Sequence, residues 1–220
     1  LQHSGKSINR DRQNNPHVHM VLFTPDNQFV VINDLGTDKV HLYKYNPDAP
    51  KDVLTLHSTV EITPGAGPRH ITFSKDGKFP YLLQELNAGV TVFSYKNGSL
   101  AKIQETKLTD EGFKGTNGAA DIHISPDGKF LYATNRGSEN NITVFSIAKD
   151  GLLTRKSQVS SLGKAPRNFV IDPSGKFLLV GNQDTNEVVI FERNASDGSL
   201  KDTGKRIAVG APVCLAFAKK

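Results

Sequence analysis

Four stretches of the chain repeat one pattern of apolar and polar positions: a short apolar run, a turn built on Asp, Asn, Ser or Gly, and a second apolar run. They cover Met20 to Phe29, His70 to Phe79, Asp121 to Phe130 and Asn168 to Phe177. The marker residues Phe23, Phe73, Ile124 and Ile171, with Phe217 in an incomplete fifth copy, recur at 50, 51, 47 and 46 residues. A second turn signal follows in three copies, as Asn97-Gly98-Ser99, Asp150-Gly151-Leu152 and Asp197-Gly198-Ser199. There glycine supplies the positive φ of a tight hairpin. Between the turns lie β-rich runs such as Val90 to Tyr95, Ile142 to Ile147 and Val188 to Phe191. No window shows helix-length apolar periodicity. Each copy therefore predicts a four-stranded antiparallel meander, strands A to D, and a repeat of this length is what one blade of a β-propeller requires. Pro80 is expected at the start of its strand or on a bulge, where its missing N–H costs no ladder bond.

The predicted architecture is an all-β chain forming a single, partial β-propeller domain over 1–220. Its repeats run approximately 17–66, 67–117, 118–164 and 165–210, and 211–220 starts a further blade, so about four and a half blades are expected. Propellers close with roughly four to eight blades. Leu1 to Asn15 read as the tail of an earlier unit, which favours a piece of a larger ring.

Composition narrows the function. The 220 residues suffice for one domain with a real core, at 37% hydrophobic content. No run of about 18 apolar residues occurs, and the first fifteen positions are polar, so neither a membrane span nor a secretory leader is expected. The reading is a soluble, cytoplasmic protein. One cysteine, Cys214, forms no internal disulfide or cysteine-based zinc site and is expected to be packed. The absence of Trp excludes repeats built on a Trp-Asp dipeptide. Lys and Arg number 27 against 22 Asp and Glu, giving +5, but the lysines fall singly in turns. Without a basic stripe, no nucleic-acid partner is expected; the excess suits a small anionic substrate.

Meander geometry places the polar residues. With tight A–B and C–D hairpins on one rim, the B–C and D–A loops share the other, and that second rim collects His17, His19, Arg69, His70, Asp121, Arg167 and Asn168 from the A-strand starts, with Asn33, Asp34, Glu85, Asn87, Asn135, Arg136, Asn182 and Gln183 from the B-strand ends. A hairpin centred between Asp76 and Gly77 puts Arg69 opposite Glu85, roughly 5 Å apart at Cβ. The same register puts His19 opposite Asp34, and Arg136 repeats the position of Glu85. Arg69 with Glu85 reads either as a cross-strand ion pair or as a carboxylate oriented by a guanidinium for acid–base work. His17-x-His19 puts two imidazoles on one strand face, suited to a structural role, to a substrate-facing acid or base, or to a metal with Asp34 or Glu85; no metal or cofactor is assigned. Arg136 and Arg167 are solvated charges or bidentate anion anchors. His123 belongs to core or channel, and His3, His41 and His57 look peripheral. No Gly-x-Ser-x-Gly elbow is present to support a serine nucleophile.

The stretches Gly65-Ala66-Gly67-Pro68-Arg69-His70, Tyr81 through Asn87, and Ala119-Ala120-Asp121-Ile122-His123-Ile124-Ser125-Pro126-Asp127-Gly128 resemble the lactonase family of seven-bladed β-propellers. Pro16-His17-Val18-His19, Tyr132 through Arg136 and Val209-Gly210-Ala211-Pro212 extend the likeness over essentially the whole chain. The family covers propeller-type 6-phosphogluconolactonases and carboxymuconate lactonizing enzymes. The resemblance implies seven blades, of which the first two or three are not in this sequence, present elsewhere as a separate segment or chain. It also implies a channel-mouth site of one histidine, two arginines and a glutamate, falling on His19 (His17 as second choice), Arg69, Glu85 and Arg136. Around these, His17, Asp34, His70, His123, Asn135 and Arg167 are the candidate substrate-binding positions. The implied activity is hydrolysis of a sugar lactone, 6-phosphogluconolactone of the pentose phosphate route, on a small anionic lactone or sugar-phosphate substrate. Glu85 or His19 would take a proton from water, Arg69 and Arg136 would stabilise the oxyanion, and Arg167 could hold a phosphate. A muconate-type lactonizing isomerase and a non-catalytic binding propeller are the alternatives.

Overall fold

The computed structural model describes residues 1–218. Its strands are β1 (Val18–Phe23), β2 (Phe29–Asp34), β3 (Lys39–Tyr45), β4 (Leu54–Glu61), β5 (Pro68–Phe73), β6 (Pro80–Gln84), β7 (Gly89–Lys96) and β8 (Ser99–Lys107). They continue as β9 (Ala119–Ile124), β10 (Phe130–Asn135), β11 (Asn141–Ile147), β12 (Leu153–Ser160), β13 (Pro166–Ile171), β14 (Phe177–Asn182), β15 (Glu187–Arg193) and β16 (Leu200–Ala208). They form four antiparallel sheets of four strands, each wound in sequence order, so every predicted meander is a blade. Among the described residues the one helical element is a 3-10 turn at Gln183–Thr185. Pro80 opens β6, where its ring disturbs no inner ladder position.

The chain divides into two compact units, 1–107 with blades one and two, and 108–220 with blades three and four. Within each unit the first strands of adjacent blades lie side by side, β1 with β5 and β9 with β13. The alternating inner positions of facing sheets then make a core in each unit. In the first, Val31, Val40 and Leu42 pack with Ile71, Leu82 and Phe93; in the second, Tyr132, Ile142 and Val144 pack with Phe169, Val180 and Phe191. The A–B turns are closed alike, with the N–H groups of Asn27, Gly77, Gly128 and Gly175 each donating to the carbonyl three residues back at 2.8 Å. Arg193 on β15 stitches two of these turns, donating to Gly175 O at 2.6 Å and to Asp127 Oδ2 at 2.9 Å.

Gly98, in the C–D hairpin of blade two, is required twice over. Its φ is +76°, and a Cβ there would lie 2.5 Å from Phe29 Cζ on the neighbouring blade. Gly98→Ala combines left-handed backbone strain with overpacking, and should lower stability by about 2 kcal/mol. The expected reading is a Tm lower by roughly 5 °C.

One expectation is corrected. Residues 214–217 have no ladder partner among the described residues, and Leu215 N donates to the side chain of Asn168 at 2.6 Å. Cys214 is exposed rather than packed, because without a second strand nothing covers it.

The hairpin register differs as well. Every A strand carries one extra residue near its start: the ladder shifts between Val18 and Met20, between Pro68 and His70, between Ala119 and Ile122, and between Pro166 and Asn168. His19, Arg69 and Arg167 are the bulged residues of their blades. Such a bulge re-aims a side chain that regular alternation would have sent elsewhere. Arg69 is thus not the cross-strand partner of Glu85, and Asp34 pairs with Val18 instead of His19. His17 precedes β1, so it does not share a regular strand face with His19.

Candidate active site

In the first unit, β5 delivers Arg69 from its bulge and the end of β6 delivers Glu85. The loop ladder continues past the strand, with Glu85 N donating to Gly67 O at 2.7 Å. Arg69 Nε donates to Glu85 Oε2 at 2.7 Å, and the two residues retain only 2% and 4% exposure. Burying two charges is tolerable only with close pairing and further donors. Glu85 has that further donor in Arg12, whose Nη2 lies 2.6 Å from Oε1, while the Arg12 side chain stays half-exposed. The next strand position brings in His70, whose Nε2 lies 3.2 Å from Arg69 Nη1. A guanidinium only donates, so Nε2 accepts and a neutral His70 carries its proton on Nδ1. The His19 ring stands edge-on to that of His70, with centroids 5.1 Å apart. Two guanidiniums, a carboxylate and two imidazoles are therefore contiguous within this unit.

Arg12 is held by a closed loop, a strap over residues 7–13. Ser7 N donates to Gln13 O at 2.9 Å, and Asn9 Oδ1 accepts from the N–H groups of Asp11 and Arg12. The buried Gln13 side chain donates to Leu35 O at 2.8 Å. The strap is also bound to Asp38, whose buried carboxylate accepts from Ser7 Oγ at 2.5 Å and from Gly65 N and Gly67 N at 2.6 Å each. One carboxylate thus ties the segment carrying Arg12 to the turn that leads into Arg69.

Asp34 is wholly buried and serves the scaffold. Its Oδ1 accepts from His17 N and Gly36 N, and its Oδ2 lies 3.1 Å from His3 Nδ1. The His17 side chain is exposed. His3 and His41, expected to be peripheral, come together beside Asp34. Burial, with the His3 imidazole beside it, holds His41 below the ordinary histidine pKa.

In the second unit, Arg136 donates from Nε to Gly118 O at 2.7 Å. Asn135 is buried and spent on two loops: its Oδ1 accepts from Gly118 N and its Nδ2 donates to Asn117, both before β9, and Nδ2 also donates to Glu139 in the β10–β11 loop. His123 is 43% exposed at its side chain, with Nε2 3.0 Å from Asp121 Oδ2 and its ring edge-on to Phe169. Asp121 accepts in addition from Asn168 Nδ2 at 2.5 Å and Phe169 N at 3.1 Å. Arg167 is half-buried.

The family model described as a lactonase, 7-bladed beta-propeller, matches residues 1–217. The chain belongs to this lactonase family. Among its relatives is a 6-phosphogluconolactonase of Formosa agariphila, 39% identical over 209 residues, covering 94% of this chain and 59% of the relative. A Bacillus subtilis protein of the same name is 37% identical, covering 98% of this chain and 61% of the relative. The crystal structure of a putative 6-phosphogluconolactonase from Bacteroides fragilis is similar with a TM-score of 0.93 and 40% identity, over 100% of this chain and 62% of that one. A periplasmic gluconolactonase of Pseudomonas aeruginosa gives 0.94 and 37%, over 99% and 61%. The chain thus spans about three fifths of the length of these lactonase-family relatives.

Of the residues expected from the sequence, this lactonase-family chain brings Arg69, Glu85, His70 and His19 together in one unit. Arg136, Asn135, His123 and Arg167 lie in the other. Sequence reading missed Arg12 and Asp38, and placed Asp121 on the rim without giving it a role. The Arg12 segment has no counterpart in the repeat, and its only local signal was the Asn9 turn. Asp38 did sit at a loop position, where a buried carboxylate collecting backbone N–H groups is a recurrent tether.

Proposed function

We propose that this chain carries the active centre of a lactone hydrolase acting on a sugar lactone, with 6-phosphogluconolactone of the pentose phosphate route as substrate. The observation that carries the reading is the buried Arg69–Glu85 pair flanked by His19 and His70, in a family whose relatives at 37–39% identity bear the 6-phosphogluconolactonase name. Both Glu85 oxygens already accept guanidinium donors, so an imidazole is the better placed base. In this mechanism His19 takes a proton from water as its oxygen attacks the lactone carbonyl. The oxyanion that forms is stabilised by the Arg69 guanidinium, which Glu85 orients. The bond from the carbonyl carbon to the ring oxygen then breaks, and that oxygen takes the proton back from His19 to give the hydroxy acid. Arg136, repeating the position of Glu85, stays in the proposed set on that position and on the family resemblance, and Arg167 is its proposed phosphate anchor. A cytoplasmic setting belongs to the same proposal. No helix among the described residues is long and apolar enough to cross a membrane, and one similar structure is described as periplasmic.

Glu85→Gln keeps the shape of the side chain and removes the charge that orients Arg69. Lactone hydrolysis by the 220-residue chain is expected to fall about 100-fold in kcat/KM, a loss of about 2.7 kcal/mol, with unchanged circular dichroism. Equal turnover in wild type and variant, or no hydrolysis by the wild-type chain, would end this reading.

A further inference from the structure

We propose that His3, Asp34 and His41 form a binding site for a divalent transition-metal ion of the zinc class. The three residues offer two imidazole nitrogens and one carboxylate oxygen, all within 4.8 Å of one another. Zinc–nitrogen and zinc–oxygen bonds of about 2.1 Å place tetrahedral ligand atoms about 3.4 Å apart. His3 Nδ1 and Asp34 Oδ2, at 3.1 Å, already have such a spacing. Bringing His41 into range takes a closure of about 1.4 Å from its side-chain torsions. An ion bound here takes the Nδ1 lone pair of a neutral His3 whose single ring proton sits on Nε2, toward the Tyr43 hydroxyl.

The surroundings carry the inference further than the three ligands do. Metal-binding imidazoles are normally fixed by a hydrogen bond on the other ring nitrogen. His3 Nε2 lies 3.1 Å from the Tyr43 hydroxyl, and His41 Nδ1 lies 3.0 Å from Thr59 Oγ1, leaving His41 Nε2 for a metal. The Asp34 oxygen turned away from the cluster accepts from His17 N and Gly36 N. All three candidate ligands are thus aimed by outer partners. His3, His41 and Tyr43 border a cavity of about 520 Å³ open to solvent, which gives an ion its entry path and room for a water in the fourth position. Two imidazoles with one carboxylate favour zinc, copper, nickel or iron over calcium and magnesium, which prefer oxygen ligands. The inference does not depend on the lactone chemistry.

The test is calorimetric titration of the chelator-treated 220-residue chain with Zn²⁺, repeated with Co²⁺ to read coordination from its visible spectrum. One ion per chain with a Kd near or below 1 µM is expected, and a four-coordinate Co²⁺ spectrum. His3→Gln and His41→Asn should each weaken binding at least tenfold with circular dichroism unchanged. Tyr43→Phe, which removes only the outer partner of His3, should weaken it about tenfold. His57→Gln should leave it unaltered. A Kd weaker than about 100 µM, or binding that survives His3→Gln and His41→Asn or is lost instead in His17→Gln, overturns the proposal.

Discussion

Arg69→Met should destabilise the chain by about 3 kcal/mol and abolish detectable turnover. The guanidinium and the Glu85 carboxylate are both nearly inaccessible to water, so removing one leaves a charge without solvent and without its main partner. Breaking a buried pair from one side costs about 3–5 kcal/mol, whereas replacing both partners by apolar groups is often close to neutral. Arg12 remains as a second donor to Glu85, which puts the expected loss at the lower end. The double variant Arg69→Met with Glu85→Met should therefore be more stable than Arg69→Met alone, although equally inactive. Arg69→Lys should recover part of the stability but little activity, because an ammonium cannot bridge Glu85 and His70 as the planar fork does. Urea unfolding of the four proteins checks the series. A loss below 1 kcal/mol in Arg69→Met, or a double variant less stable than the single one, would show that the pair is not the buried anchor described above.

Asp38→Ala is expected to cost about 3 kcal/mol and to loosen the strap that carries Arg12. Three donors converge on this carboxylate, and truncation strands Gly65 N and Gly67 N in a buried turn at about 1–3 kcal/mol each, partly relieved by relaxation. The residue also sits at φ +54°, where Ala is more strained than Asp or Asn. Asp38→Asn should therefore lose only about half as much. Amide hydrogen exchange gives the decisive reading: protection of Ser7 and Gln13 should fall in Asp38→Ala while that of the β2–β3 ladder is kept. Uniform loss across the first unit would mean that Asp38 supports the blade and not the strap.

Both predictions turn on side chains whose identities were visible in the chain but whose partners were not. The four-stranded repeat was legible because it rests on local rules: period-two alternation, Asp-Gly and Asn-Gly turns, and a proline that a strand start accommodates. The rim that gathers Arg69, Glu85, His19 and His70 was legible for the same reason, since a meander of tight hairpins fixes which strand ends share an edge. Register was not, because one extra residue per A strand leaves the alternation on either side intact and is betrayed by no residue type. The reading of His19 against Asp34 failed on that single residue.

Arg12 shows where local inference stops. It lies 73 positions from Glu85, in a polar segment with no strand pattern, and it reaches the site only because Gln13 and Ser7 find acceptors on the first blade. The three-residue cluster of His3, Asp34 and His41 likewise joins positions 31 and 38 residues apart. The sequence by itself determined the four-stranded repeat, the hairpin rim and the residue types offered to it, since those follow from short-range sterics and alternate burial. Tertiary structure alone decided which of those residues meet, since bulges and long-range hydrogen bonds are selected by the whole unit closing around its core.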